Sequence, residues 1–221
     1  MKLQKRITLL CGHYGSGKTN VAVNLAFQAA QSHPNVAIAD LDIVYPYFRT
    51  KDSREELETA GIRLICSDYA NTNVDIPALP PEMYAITDDR SMTAVMDIGG
   101  DDRGALALGR YTPAILEENN YEMLLVINGY RPLTRDADST LEIIREIEAA
   151  GGIPFTAIIN NSNLGEETDA ETVLSSLAYA EEISAATGLP IKMTTVRAEL
   201  YEELKNRIPN LFPLTLQYKI K

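Results

Sequence analysis

The 221-residue chain has only two cysteines, Cys11 and Cys66, far apart and in no CxxC pair. That spacing offers neither a disulfide framework nor an evident zinc or iron-sulfur ligand set, and it fits a reducing compartment. Basic residues are scarce as well: 20 Lys and Arg against 31 Asp and Glu leave a net charge of −11 and a pI near 4.7. A surface of that sign does not neutralise a phosphate backbone, so nucleic acid is not an expected partner. Long apolar runs are missing too. The N-terminal run Ile7–Cys11 falls short of the ~7–15 residues of a signal-peptide core, and nothing approaches the ~18 of a membrane span. The tail Leu211–Lys221 carries Pro213, only two lysines and no long amphipathic period, which argues against stable membrane attachment. A soluble, cytoplasmic protein is expected.

Repeats, low-complexity tracts and linkers are also absent. With 45% hydrophobic and 23% charged residues the chain can bury a core. One domain over residues 1–221 is expected, with a loop insertion at 67–81, where three prolines cluster and periodicity is lost.

What is present is an alternation of short apolar runs with longer amphipathic ones, the pattern of an α/β fold with a mostly parallel sheet. About seven strands are predicted: Ile7–Cys11, Val36–Asp40, Arg63–Cys66, Thr93–Ile98, Met123–Asn128, Phe155–Asn160 and Ile191–Thr195. Most are apolar throughout, as strands buried on both faces are. Between them, Asp136–Ala150 puts Leu141, Ile144 and Ile147 on one helical face and stops at Gly151-Gly152. Thr168 with Glu171 reads as a capping box opening a helix that ends at Gly188-Leu189-Pro190. Glu199–Arg207 reads as a last charged helix.

Directly after the first strand stands Gly12-His13-Tyr14-Gly15-Ser16-Gly17-Lys18-Thr19, a match to GxxxxGK(S/T), followed from Asn20 by a helix-like stretch. Glycines let successive backbone N–H groups converge on one point, where a helix N-terminus adds about half a positive charge. Lys18 can reach β- and γ-phosphates and the Thr19 hydroxyl can ligate Mg²⁺. The fold expected around such a loop is the three-layer P-loop NTPase fold.

Hydrolysis needs more than a phosphate loop. Val95-Met96-Asp97-Ile98-Gly99-Gly100 closes an apolar strand on a carboxylate for Mg²⁺ and two glycines whose N–H groups could meet the γ-phosphate. The second predicted strand ends in Asp40-Leu41-Asp42, where alternation points both carboxylates the same way. Asp42 is the candidate for orienting water, and Asp40 for supporting the metal. For the base, Phe155–Asn160 runs into Asn161-Ser162-Asn163. Guanine-specific GTPases read their base with NKxD, and here Asn163 occupies the aspartate position. Asn160 can still bond a purine edge, so adenine, and ATP/ADP as cofactor with Mg²⁺, is favoured.

With these motifs in this order, roughly Ile7 to Leu204 resembles the MinD/ParA-like branch (SIMIBI class) of P-loop ATPases. The strings GHYGSGKT, DLDIVYPYFR, DIGGDDRGALALGRY and INGYRP are most similar to MinD-like ATP-binding proteins without an assigned cellular role. The resemblance implies a slow Mg²⁺-dependent ATPase, in which Lys18, Asp42 and Asp97 do the chemistry, acting as a switch whose two subunits close over nucleotide, with a protein partner. It departs at one place: the lysine that crosses the dimer interface in that branch is His13 here. Arg49, Arg103 and Arg131 follow motif segments and are candidates to supply the missing charge. Two other readings stay open, a small-molecule kinase or ATP-dependent ligase, and a nucleotide-sensing module without hydrolysis.

Overall fold

The apolar runs form one sheet of eight strands. In the computed structural model, which describes residues 3–41, 53–66, 81–100 and 102–216 with the side chains of Asp102 and Arg103 left aside, they are β1 (Ile7–Cys11), β2 (Val36–Asp40), β3 (Ile62–Ile65), β4 (Thr93–Asp97), β5 (Tyr121–Ile127), β6 (Ala157–Asn160), β7 (Ile191–Arg197) and β8 (Leu211–Leu214). Their order is β3-β2-β4-β1-β5-β6-β7-β8, and every neighbouring pair is parallel. The expected mostly parallel sheet is found, and among the described residues β8 adds one strand to the seven predicted.

Helices cover both faces: α1 (Lys18–Ala30), α2 (Arg54–Thr59), α3 (Ala85–Asp88), α4 (Asp102–Leu108), α5 (Thr112–Glu118), α6 (Ala137–Gly151), α7 (Ala170–Ser175), α8 (Leu177–Thr187) and α9 (Tyr201–Leu204). Strands β1, β2 and β4 are buried at every residue, which is why they read as unbroken apolar runs rather than alternating ones. On one face Leu9, Met96 and Ile158 meet Ile144 and Ile147 of α6 and Ile183 of α8. On the other, Leu10, Ile38, Val95 and Val126 meet Val21 and Leu25 of α1.

Helix α6 begins as its sequence suggests. The Asp136 carboxylate accepts from the Ser139 hydroxyl and from the Ser139 N–H, and these bonds hold its pKa below the ordinary carboxylate value. It ends at Gly152, in the left-handed region at φ 65°. The helix predicted from Thr168 is opened instead by Asp169, which accepts from the Thr172 N–H. The Thr168 hydroxyl closes the preceding turn, accepting from Leu164 N and donating to Gly165 O. Glu199–Arg207 contains only a 3-10 turn and the four-residue α9. The predicted insertion lies, but for Pro81, outside the described residues. No helix among the described residues is long and apolar enough to cross a membrane.

At the end of the sheet away from the phosphate loop, Arg6 enters β1 buried, with a side chain 7% exposed. Its Nε and Nη2 donate to the Glu118 carboxylate, and its Nη1 donates to the carbonyls of Ile86 and Met92 at 2.9 Å. One guanidinium therefore ties β1, the end of α5 and the approach to β4. The bond from Arg6 holds the Glu118 carboxyl below its usual value. A depressed folded pKa contributes stability above the unfolded value that is lost as pH falls through the folded one. Glu118→Gln is therefore expected to cost about 2 kcal/mol at pH 7, between exposed and buried pairs. The cost should shrink below about pH 4, as seen in urea unfolding across pH.

Candidate functional site

Strand β1 lies between β4 and β5, so the loop after it emerges where the chain changes direction across the sheet, the place where open parallel sheets bind ligands. The loop needs its glycines. Gly12 sits at φ 146°, and a Cβ there would fall 2.3 Å from the Val126 carbonyl oxygen. Gly17 sits at φ 84° and caps α1 with no side-chain hydrogen bond, and no acidic residue stands in the first turn. No side-chain cap closes the start of α1, and negative charge is favoured there.

Lys18 is 7% exposed, and its Nζ donates to the His13 carbonyl at 3.3 Å. The Thr19 hydroxyl donates to Asp97 Oδ2 at 2.7 Å. Asp40 and Asp97 are register partners on β2 and β4, and both are buried. They share strand parity with Ile38 and Val95, which pack toward α1, so alternation places both carboxylates on the face where Thr19 begins its helix. Gly100 leans on the loop: a Cβ there would lie 2.6 Å from Tyr14 N and 2.9 Å from Lys18 Nζ. The structure thus brings together Gly12 through Thr19, Asp97 and Gly100, with Asp40 beside them. Asp42 lies outside the described residues.

His13 contributes its main chain. Its Nδ1 lies 3.0 Å from the Tyr14 carbonyl oxygen, which the Nδ1–H tautomer would donate to. Among the described residues Arg131 adds a guanidinium to the loop beside Lys18: its Nε donates to the Gly15 carbonyl at 2.9 Å. Asn128 sets the turn that carries it: its Oδ1 accepts from Tyr130 N, and its own carbonyl accepts from Arg131 N and from the Thr134 hydroxyl. Arg49 lies outside the described residues.

A cavity of about 560 Å³ runs from the loop toward the ends of β6, β7 and β8, where Asn161, Asn163, Thr195, Val196, Arg197 and Leu214 line it together with Lys18, Thr19, Asn20 and Arg131. Asn160 is placed differently from its sequence reading. It is fully buried; its Nδ2 donates to the Ser176 hydroxyl at 2.9 Å and its Oδ1 accepts from Ser162 N. As the last residue of β6 it points to the face covered by α8, away from the cavity. The residues that reach the cavity are the next ones, Asn161, Ser162 and Asn163. Asn161 Nδ2 donates to the Ser16 carbonyl at 2.5 Å, and its Oδ1 accepts from the Thr195 hydroxyl at 2.5 Å. Thr195 and Asn128 are not among the predicted site residues; Asn128 is signalled only as the polar residue ending a predicted apolar strand, and Thr195 is one of two adjacent threonines in β7.

No protein-family model and no curated protein matches the chain. Its similarities are to solved structures. The signal recognition particle 54 kDa protein from Aeropyrum pernix, in complex with GDP, is 19% identical with a TM-score of 0.51, over 86% of this chain and 41% of that one. Cell division protein FtsY from Thermotoga maritima is 20% identical with a TM-score of 0.55, over 86% and 61%. FtsY from Mycoplasma mycoides is 20% identical with a TM-score of 0.54, over 86% and 59%. The fold is the three-layer P-loop fold. The chain spans between 41% and 61% of these neighbours' own lengths.

Proposed function

We propose that the chain is an ATP-binding, Mg²⁺-dependent P-loop hydrolase that works as a nucleotide switch, two copies closing over the nucleotide and a protein partner reading its state. The observation that carries this is the 2.7 Å contact of Thr19 with Asp97, formed at the uncapped N-terminus of α1 beside Lys18. A hydroxyl and a carboxylate meeting at a ready-made anion site are the hard oxygen donors a phosphate-bound Mg²⁺ takes. Asp40, next to Asp97 across the β2–β4 pair, fits the same ion. Among the described residues no group of three or more His, Cys, Asp or Glu could cage a metal. That suits Mg²⁺, which keeps several waters and uses one or two carboxylates plus substrate oxygens. When bound, the ion would draw charge from the phosphate oxygens.

The chain's own groups supply the rest. The N–H groups from Gly17 onward bind phosphate oxygens, and Lys18 leaves the His13 carbonyl to neutralise them. A Gly100 N–H contacts the γ-phosphate. Asp42 accepts a hydrogen bond from a water aligned on the γ-phosphorus. The new P–O bond forms to that water as the bond to the bridging oxygen breaks, giving nucleoside diphosphate and inorganic phosphate.

Adenine is supported by Asn163, which stands where a carboxylate would pair with guanine's N1 and N2 hydrogens. Its amide donates to Asn161 O and its Oδ1 accepts from Gly165 N. Guanine is the competing reading because the neighbouring 54 kDa protein holds GDP. Phosphate release measured with Mg·ATP and Mg·GTP separates the two: higher kcat/KM with ATP is expected, and preference for GTP would replace the assignment. Asp42→Ala is expected to bind Mg·ATP with its turnover at least about tenfold lower. Light scattering of that variant should show a dimer with Mg·ATP and a monomer without it. A monomer in both states would remove the switch.

A further inference from the structure

Two side chains hold consecutive carbonyls of the phosphate loop from outside. Arg131, after β5, takes the Gly15 carbonyl; Asn161, after β6, takes that of Ser16. In a trans peptide the C=O and the following N–H point in opposite directions. Drawing the Ser16 oxygen toward β6 therefore turns the Gly17 N–H away from it, to the side where the N-terminus of α1 begins. The seat is built from both partners: Asn161 is buried, and a Cβ at Gly17 would fall 2.3 Å from its Nδ2. The other end of the amide is also fixed. Thr195 in β7 donates to Asn161 Oδ1, so the oxygen cannot turn toward Ser16 O without losing that bond and setting two acceptors face to face.

We infer that Asn161, oriented by Thr195, is a positioning residue for the phosphate loop rather than a reader of the base, although it lines the cavity near the base end. Its amide fixes the Ser16–Gly17 peptide in the orientation that receives a phosphate oxygen. This role presupposes the nucleotide site proposed above. Thr195 lines the cavity with Val196 and Arg197, and through Asn161 it ties β7 to the loop.

The two roles separate on a ligand that has phosphates and no base. Mg·tripolyphosphate and Mg·ATP are titrated into the parent chain, Asn161→Leu, Thr195→Val, Thr195→Ser and Lys18→Met. Asn161→Leu keeps the branched shape and the number of non-hydrogen side-chain atoms and adds no charge. It is expected to weaken both ligands by the same factor, about tenfold to a hundredfold, as a buried carbonyl is left unpaired and its peptide freed. Thr195→Val should weaken both by a smaller common factor, and Thr195→Ser should restore them. Weaker ATP binding with unchanged tripolyphosphate binding would make Asn161 a base reader and overturn the inference. Should Asn161→Leu not fold, the two Thr195 variants decide between the same two roles. A parent chain that binds neither ligand, or a Lys18→Met chain that binds both as the parent does, would overturn the nucleotide reading itself. Parent binding lost in Lys18→Met but retained in Asn161→Leu and Thr195→Val would overturn only the positioning role.

Discussion

Lys18→Met is expected to bind nucleoside triphosphate at least about 100-fold more weakly than the parent chain, read by calorimetric titration. The reason lies in what surrounds the amine. Lys18 is almost buried, and its hydrogen bond to the His13 carbonyl, a neutral loop group, is a long one at 3.3 Å. A cation held that loosely gains more from a phosphate oxygen than it loses by leaving His13. The protein around it carries a net charge of −11, so the field away from the loop disfavours a triphosphate. The helix N-terminus and Lys18 must overcome that field locally, with Arg131 adding a third positive element. Removing the amine leaves the N–H groups and keeps the methylene stem packed, so the unliganded fold should survive. The nucleotide-induced rise in unfolding temperature, worth about 2.7 kcal/mol at a hundredfold excess over Kd, should then vanish. Undiminished affinity would mean that the loop is not the site.

Legibility from sequence follows chain locality. Strands β1 and β2 match their apolar runs end to end, because a fully buried parallel strand announces itself by composition and is bounded by turn residues. Strand β8 is absent from the predicted strands. It has four residues and contains Pro213, which lacks an N–H. The proline is tolerated because β8 is the sheet's edge, paired on one side only, and there Pro213 is exposed while Phe212 and Leu214 face inward. Nothing local to Leu211–Leu214 says that β7 will be beside it.

The site divides in the same way. Loop, lysine, threonine and strand-end aspartate are readable since one strand–loop–helix unit and one strand end contain them. Asn160 and Asn161 are not separable, because side chains alternate along a strand and the last residue of β6 decides which amide meets α8 and which meets the loop. That boundary is set by pairing with β5 and β7, not by the residues themselves. The capping of α7 shows the same limit at smaller scale: Thr168 and Asp169 are both good cap residues. The hydroxyl of Thr168 is taken by Leu164 and Gly165, leaving the cap to Asp169.

Gly100→Ala is expected to lower nucleotide turnover about 100-fold, the order of effect that a misplacement near 1 Å produces at a reacting centre. The added Cβ would stand 2.6 Å from Tyr14 N and 2.9 Å from both Tyr14 Cα and Lys18 Nζ, distances real carbons do not keep. The lysine tip can swing aside at little cost, but Tyr14 N and Cα belong to the phosphate loop and cannot. Either the loop or the segment after β4 must give way, and in both cases Gly100 and the loop lose the relative placement proposed for the γ-phosphate. Nucleoside diphosphate lacks that phosphate, so its affinity should change much less than turnover does. Gly61→Ala supplies the comparison: Gly61 has φ 74° and nothing within 4 Å of its would-be Cβ, at the turn between α2 and β3. That change should cost about 1 kcal/mol of backbone strain and leave turnover as it was. If Gly100→Ala behaved like Gly61→Ala, the glycine would be serving the turn alone, and γ-phosphate contact would have to come from elsewhere in the site.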